Sequence, residues 1–425
     1  MSPVVIVMFL VTGVLFCIKM PIAFAMGIGS IFYNFLNGDN LSFVPQFMVA
    51  QLNSFILLSI PFFILIGELM NRGQTSKRLF NFAEELVGQV RGGLAQVNIF
   101  TSIILAGMSG SALSDAALTT RVFVPYMEQK GYPRAYAAAI TAASATIGPI
   151  IPPSVIMILI GAVNGLSVGR LFVAGFLPGL LMGLMLGIIV YINPRVKIDV
   201  PKKLTIRKLI LTFRTAGFAL PLPFLILGSM IFGITTPTEA AIIGVLYVFF
   251  IEAIVYKELN WQKTKDAFLA TVDVASQVLF LVCLAGVFGW IVTSVNLADK
   301  ALWLMTGLIS KPWQALIMIN LFVLFAGMFL NSSTLILILS PILYPIVSHF
   351  GIDPYHFSIV FSLNLMIGML TPPVGLLTYT VVNICDINLG VYMKELFPFL
   401  IALLVSLIIV TFVPWISLWL PNILF

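Results

Sequence analysis

Apolar stretches long enough to cross a bilayer follow one another along most of this 425-residue chain. A membrane-crossing helix needs roughly 17–25 apolar residues, so each such run is a candidate span. Two further apolar pairs, 94–127 and 313–349, are interrupted near their middle by small polar residues. The candidate spans are 3–18, 21–36, 54–70, 135–164, 169–193, 215–233, 237–256, 270–296, 355–385 and 393–419. The pattern predicts an all-α, polytopic membrane protein.

The two interrupted pairs predict re-entrant hairpins, which enter and leave the membrane on one side. The first limb, Leu94–Met108, covers about 22 Å at 1.5 Å per residue. This length is short of the hydrocarbon core, which is roughly 30 Å thick. The polar run Ser109-Gly110-Ser111 then precedes a second apolar limb. Non-helical backbone survives at this depth only when it is buried in protein or lines a cavity.

Residues that bend or stop helices recur in this chain at a fixed offset of 220 positions. Most of the matched residues are glycines and prolines. The matches are Ala106-Gly107-Met108 with Ala326-Gly327-Met328, Pro125 with Pro345, Gly131 with Gly351, Gly148 with Gly368, Pro152-Pro153 with Pro372-Pro373, and Pro178 with Pro398. An internal repeat of this kind is typical of transporters whose binding site lies where the helices break.

The number of spans and the basic residues together predict an inverted repeat. Each half holds five spans and one hairpin, and an odd number of crossings turns the second half upside down. If the N-terminus is outside, 19 of the 22 Lys and Arg residues fall in cytoplasmic loops or hairpin ends. Only Arg170, Lys300 and Lys311 fall outside. By the positive-inside rule, both termini are predicted to be external, and the first hairpin opens to the cytoplasm.

The repeat divides the chain into a predicted scaffold, a predicted transport domain and a connector. The semi-polar segments before the hairpins are predicted to be interfacial arm helices. The basic connector either lies along the anionic leaflet or only sets the topology. The parts are 1–93 (scaffold helices and first arm), 94–193 (first hairpin, broken helix and span), 194–214 (connector), 215–312 (scaffold helices and second arm) and 313–425 (second hairpin, broken helix and span).

Composition excludes an ordinary soluble protein and gives no indication of metal or redox chemistry. The hydrophobic fraction is 60% and the charged fraction 9%, whereas soluble chains carry about a quarter charged residues. The net charge of +6 therefore reflects orientation in the lipid bilayer, and nucleic acid is not expected as a partner. Cys17, Cys283 and Cys385 stand singly in apolar runs, as packed thiols do.

The hairpin tips and the breaks that follow them carry the candidate chemistry. The tips are Ser109–Ala112 and Asn331–Thr334, and the breaks are Gly148–Ser154 and Gly368–Gly375. Proline forces a helix to unwind, which frees carbonyl oxygens that suit a hard cation such as Na⁺. Two tips and two breaks thus predict two symmetry-related cation sites. The alternative is a pair of plain proline kinks, with serines filling a tight helix crossing.

Asp115 lies one turn beyond the first tip, at predicted membrane depth. An ionisable group in such a place is costly and indicates function by default. Two functional roles are open: Asp115 helps to hold sodium, or it organises the tip through hydrogen bonds. A satisfied structural carboxylate is the third alternative.

The segments GMSGSALSDAA (107–117), GPIIPPS (148–154), NSST (331–334) and TPPVG (371–375) resemble a known family. They are similar to the large membrane subunit of tripartite ATP-independent periplasmic (TRAP) transporters, and the resemblance covers essentially the whole chain. It implies an elevator-type fold, related to the divalent-anion/sodium symporters, in which a transport domain moves against a scaffold. The overall sequence most resembles the sialic-acid branch of the family, and the C4-dicarboxylate carriers next.

The resemblance implies Na⁺-driven import of an organic acid across the bacterial inner membrane by a transporter subunit that is not an enzyme. It implies two protein partners: a soluble periplasmic binding protein and a small four-helix membrane subunit as a separate chain. No cofactor is expected besides Na⁺ as the coupling ion, at two or more sites. Carried over to this chain, the sodium candidates are Ser109, Gly110, Gly148, Pro149, Asn331, Ser332, Ser333, Gly368 and Thr371. The substrate candidates are Ser111 and Ser154, with Asp115 beside them.

Two alternatives from other functional classes stay open at this point. Gly107-Met108-Ser109-Gly110 fits the Gly-x-Ser-Gly pattern of intramembrane serine proteases. Such a serine needs a base within hydrogen-bond reach, and the two histidines, His349 and His356, flank the opposite hairpin's exit. The second alternative is a passive channel, because broken helices occur in channels as well.

Overall fold

The structure of this protein is a computed structural model that describes residues 3–109, 111–193, 206–307, 309 and 311–425. All regular elements in these residues are helical, which confirms the predicted all-α fold class. In the first half, the helices are α1 (Pro3–Cys17), α2 (Ile22–Asn37), α3 (Phe43–Leu52), α4 (Ser59–Arg72), α5 (Thr75–Val87), α6 (Leu94–Ser109), α7 (Ala112–Gln129), α8 (Arg134–Ala145), α9 (Val155–Asn164) and α10 (Val168–Ile192).

The second half follows the same order after residues 194–205, which include most of the basic connector and lie outside the described residues. Its helices are α11 (Ile206–Ala216), α12 (Pro221–Ile231), α13 (Pro237–Phe250), continued by a π-helical turn (Ile251–Val255), α14 (Trp261–Ser294), α15 (Leu297–Thr306), α16 (Pro312–Gly327), α17 (Ser332–His349), α18 (Pro354–Leu370), α19 (Leu376–Cys385), α20 (Leu389–Phe412) and α21 (Trp415–Leu424).

The sequence repeat is also a repeat of helix boundaries. Helices α7 and α17 begin and end 220 residues apart, and α8 and α18 begin 220 residues apart. Gly131 and Gly351 precede α8 and α18 with φ of 87° and 68°, a left-handed conformation that favours glycine. The Pro152–Pro153 and Pro372–Pro373 bonds are cis in both breaks. The repeat therefore extends from the sequence to the backbone conformation.

Each interrupted pair folds back on itself as a helical hairpin. In the first, Nδ2 of Asn98 lies 3.8 Å from Sδ of Met127, which sets the start of α6 beside the end of α7. Pro312, which begins α16, lines a surface cavity together with His349, the last residue of α17, and Phe350, the next residue. The junctions between α6 and α7 and between α16 and α17, where the tips lie, are therefore at the opposite ends of these antiparallel pairs.

Buried or partly buried side-chain hydrogen bonds attach each hairpin to the broken helix that follows it. Asn98 donates to Thr141 Oγ1 at 2.6 Å and accepts from Ser144 Oγ at 3.0 Å. In the second half, Asn364 donates to Oδ1 of Asn320 at 3.0 Å. Ser144 and Asn364 are again 220 residues apart. Each such bond contributes on the order of 1 kcal/mol in a setting where unpaired polar groups are costly.

Helix lengths differ from the predicted spans wherever the backbone breaks. Among the described residues, five helices are long and apolar enough to cross a membrane, or six if α11 and α12, which meet at 54°, count as one. The predicted spans 135–164 and 355–385 divide into α8 with α9 and α18 with α19, as their proline-rich middles indicate. The predicted span 393–419 is interrupted between α20 and α21.

The long helix α14 is the centre of the predicted scaffold. It has 34 residues and packs against α2, α3 and α4 and against α17 of the second hairpin. The sequence predicted no helix over 43–52, where α3 lies. Outward faces expose large apolar side chains such as Phe224 and Leu246, as lipid-facing helices do.

Candidate functional site

The polar residues at both hairpin tips cap the helices that follow them. Ser111 Oγ accepts a hydrogen bond from the Ser114 N–H at 3.5 Å. Asn331 Oδ1 accepts from the Thr334 N–H at 2.8 Å. Both are N-caps, which satisfy a donor that the first turn of a helix leaves open. Ser109 ends α6, but its side chain and Gly110 lie outside the described residues.

The two tips meet around a cavity of about 190 Å³, which we call the tip cavity. Its walls also include Met366, which precedes the second break, Met369, which lies within it, and apolar residues of α4 and α14. The structure brings five predicted site residues together here: Ser111, Pro149, Asn331, Ser332 and Ser333. None of the described residues that line the tip cavity is charged.

The first break holds two other predicted residues close to the tip cavity but not in its lining. A Cβ added at Gly148 would lie 2.7 Å from Oδ2 of Asp115, so this buried carboxylate lies directly over the break. Ser154 is fully buried. Its hydroxyl donates to the Pro149 carbonyl at 2.5 Å and accepts from the Met157 N–H at 3.3 Å. Asp115 and Ser154 thus organise the break, and their predicted contact with substrate stays a prediction.

The second break is attached to its hairpin through the backbone. The Gly375 N–H donates to the Met328 carbonyl at 3.0 Å. A Cβ at Gly368 would lie 2.7 Å from Cα of Gly327, so the two backbones touch. Thr371 Oγ1 donates to the Ile367 carbonyl at 2.8 Å. Gly368 and Thr371 flank Met369, which lines the tip cavity, but are not themselves in the lining.

The atoms around the tip cavity that could coordinate a cation are neutral oxygens. Pro152 and Pro373 lack the N–H that a continuous helix would donate to the carbonyls of Gly148 and Met369. Hydroxyl and amide oxygens of the second tip lie nearby. Neutral oxygen ligands suit hard cations, so this residue set fits Na⁺ as transported cargo.

The sequence did not predict the apolar wall that α4 and α14 contribute to the tip cavity. Ile64 on α4 and Val274 and Val278 on α14 line it. These residues stand in long apolar runs, where nothing distinguishes a cavity wall from a lipid-facing position. The only available signal was the i, i+4 spacing of the two valines, which puts them on one face of a helix.

The histidines do not support the serine protease alternative. His356 is buried, with Nδ1 2.8 Å from Ser417 Oγ and Nε2 3.3 Å from the Thr411 carbonyl. His349 ends α17, at the end of the second hairpin opposite to its tip. Neither histidine lines the tip cavity, so the described residues contain no histidine base next to the first tip.

Comparison with known proteins gives concordant matches over most of the chain. Residues 6–416 match the family described as tripartite ATP-independent periplasmic transporter, DctM component. The chain is 37% identical to the sialic acid TRAP transporter large permease protein SiaM of Vibrio cholerae, over 96% of both chains. It is 35% identical to the C4-dicarboxylate TRAP transporter large permease protein DctM of Pseudomonas aeruginosa, over 87% of this chain and 86% of that one.

A solved structure shares the fold at low sequence identity. The YdaH transporter of Alcanivorax borkumensis superposes with a TM-score of 0.64, covering 90% of each chain at 15% identity. The overlap over nearly the whole length shows that the helix arrangement described above is that of a known transporter.

Proposed function

Since this chain belongs to the DctM-component family of tripartite ATP-independent periplasmic transporters, we propose that it imports an organic acid carboxylate coupled to Na⁺. The family's relatives are transporter permeases, so the prediction of a transporter subunit rather than an enzyme is confirmed. The substrate we favour is sialic acid, with a C4-dicarboxylate next. Relatives named for each of these acids are similar to this chain to nearly the same degree.

One observation carries the sodium proposal: two tips, one from each half of the repeat, share one cavity of neutral oxygen donors. Asn331, Ser332 and Ser333 come from one half, and Ser111 and Pro149 from the other. Two sodium ions held by the two tip-and-break pairs would supply positive charge to a site whose described lining has none. The carboxylate of the substrate would lie between the tips, where that charge attracts it.

The division of polar and apolar lining supports an elevator movement. All polar residues of the tip cavity belong to the hairpins and broken helices, whereas α4 and α14 contribute only Ile64, Val274 and Val278. Ions and substrate bound to the hairpins could therefore move with them past an apolar wall without losing hydrogen bonds to it.

The proposed assembly follows the family. The chain lies in the bacterial inner membrane with both termini in the periplasm, together with a small membrane subunit. A soluble periplasmic protein delivers the substrate. The charge distribution supports this orientation, because 19 of 22 basic residues then face the cytoplasm.

The sodium proposal is tested by uptake of labelled N-acetylneuraminate or succinate into liposomes that contain both membrane subunits. Asn331→Ala and Ser109→Ala should each raise the Na⁺ concentration for half-maximal uptake about tenfold or more, as the loss of a ligand to a charged group does. Docking of the binding protein should change less.

The control for this experiment is Asn260→Ala. Asn260 caps α14 by accepting from the Lys263 N–H at 2.8 Å and lies outside the tip cavity lining. Unchanged sodium activation in both tip variants would contradict the site. Uptake that only dissipates a gradient, without sodium-driven accumulation or counterflow, would favour a passive channel.

A further inference from the structure

A second, wider cavity lies between the scaffold and the second hairpin. It has a volume of about 690 Å³, within the range of small-molecule sites. We call it the wide cleft. Helices α9, α14 and α17 line both cavities, with their earlier residues at the tip cavity and their later residues at the wide cleft. The wide cleft thus lies beyond the tip cavity, toward the C-terminal ends of these three helices.

The wall formed by α17 carries a hydroxyl without a partner and two carbonyls that lack their usual helical N–H donor. Ser340 is fully buried, lines the wide cleft, and its Oγ has no hydrogen-bond partner. Pro341 and Pro345 lack the N–H groups that would bond the carbonyls of Leu337 and Pro341. Both of those residues also line the wide cleft. A buried polar group without a partner is costly, so this wall is suited to a ligand that offers hydrogen-bond donors.

The other walls of the wide cleft also offer hydrogen-bonding groups and no charge. Asn164 donates through Nδ2 to the Ile160 carbonyl at 2.9 Å, so its amide oxygen remains as an acceptor. Gln51 adds an amide on the scaffold side, and Trp290 adds an aromatic surface. None of the described lining residues is charged. A carboxylate finds no ion pair here, whereas hydroxyl groups, which both donate and accept, fit these partners.

We propose that the wide cleft is a binding station for the hydroxylated part of a sugar-like organic acid, separate from the tip cavity. The inference rests on the proposed function, which makes the ends of α9, α14 and α17 exterior and the wide cleft the route to the tips. Binding in the wide cleft would select among organic acids, because hydroxylated acids bind there and unsubstituted dicarboxylates do not.

Occupancy of the wide cleft can be measured separately from the tip cavity. Ser54 lines the wide cleft and is half-buried. The variant is Ser54→Cys in a background without Cys17, Cys283 and Cys385, purified with the small membrane subunit and reconstituted into liposomes. N-acetylneuraminate should slow labelling of the new thiol by a membrane-impermeant reagent, and succinate should not. This protection should persist without Na⁺ and in the Asn331→Ala variant.

A second variant tests the buried hydroxyl. Ser340→Ala should raise the N-acetylneuraminate concentration for half-maximal protection about two- to tenfold, as the loss of one neutral hydrogen bond does. The matched control is Ser406→Ala, because that buried hydroxyl donates to the Ala402 carbonyl of its own helix at 2.9 Å and does not line the wide cleft.

Four results would overturn the station: no labelling of the thiol, equal protection by succinate, protection that disappears in Asn331→Ala, or equal effects of Ser340→Ala and Ser406→Ala. Sodium-dependent uptake is measured in the same liposomes. If uptake does not depend on sodium while protection persists, the proposed coupling fails and the station stands.

Discussion

Gly368 shows why the repeated glycines cannot be replaced freely. Its backbone lies against Gly327, one tip-forming helix against one broken helix, with no room for a Cβ. Gly327 and Gly368 correspond to Gly107 and Gly148 at the 220-residue offset. In the first half, the space over Gly148 is filled by the Asp115 carboxylate. Gly368 therefore makes room for a neighbouring backbone, and Gly148 makes room for a carboxylate.

Gly368→Ala is expected to destabilise the protein by about 1–3 kcal/mol, as overpacking of a tight contact does. Thermal unfolding of the detergent-solubilised protein would measure this as a lower midpoint. Gly228→Ala is the control, because a Cβ there would meet nothing within 4 Å and alanine favours the helix. Equal midpoints for the two variants would contradict the close contact.

At the scale of elements, the start of the arm helix α5 is attached to the scaffold by a buried carboxylate. Glu252, in the π-helical turn after α13, accepts from Thr75 N–H at 3.1 Å, Thr75 Oγ1 at 2.5 Å and Gln74 N–H at 3.3 Å. Arg78 lies 4.1 Å from the ring centroid of Tyr256, the residue that follows this turn. Glu252 thus holds the N-terminal end of the first arm helix against the scaffold.

Glu252→Ala is expected to cost about 2–4 kcal/mol, because it leaves buried donors of Gln74 and Thr75 without an acceptor. The thermal midpoint of the purified protein measures the loss. Glu239→Ala is the control on the same helix, since Glu239 is exposed and bonds Thr236 locally. A loss as small as that of Glu239→Ala would show that the arm does not depend on this attachment.

The positions of helices that begin or end at prolines and glycines could be predicted from the sequence. The positions of helices whose ends depend on packing could not. The tips, the breaks and the arm segments follow from local backbone chemistry, so α5 to α9 and α15 to α19 lie close to the predicted places. Helix α3 was missed because its apolar run is short, and the interruption before α21 was missed because the apolar run continues across it. A hydropathy pattern is the same for a segment buried in protein and for one in lipid, so it does not show where an apolar run is interrupted.

At the scale of the whole molecule, the directions of three helices agree with the inverted repeat. Helices α9, α14 and α17 come from different parts of the chain, yet each contributes its earlier residues to the tip cavity and its later residues to the wide cleft. One face of the molecule therefore collects their C-terminal ends. That face is the one that the basic residues independently predict to be exterior.

A movement of the hairpins against the scaffold predicts a contact that changes during transport. Leu113 at the first tip and Val278 on α14 both line the tip cavity. With cysteines at both positions, cross-linking by a short bifunctional thiol reagent should vary with added Na⁺ and substrate. The control pair, Leu113 with Ile156 of α9, lies within the proposed moving part and should cross-link to a constant extent. Constant yield in both pairs would contradict the elevator.

The sequence by itself determined the fold class, the family and the positions of the tips and breaks, because glycine and proline act on the backbone where they stand. Tertiary structure decided which faces meet. It joined Glu252 to Thr75 across 177 residues, brought Asn331 to Ser111 in one cavity, and opened the wide cleft beside Ser340. Apolar helices look alike around their circumference, so only packing distinguishes a face that lines a cavity from one that meets lipid.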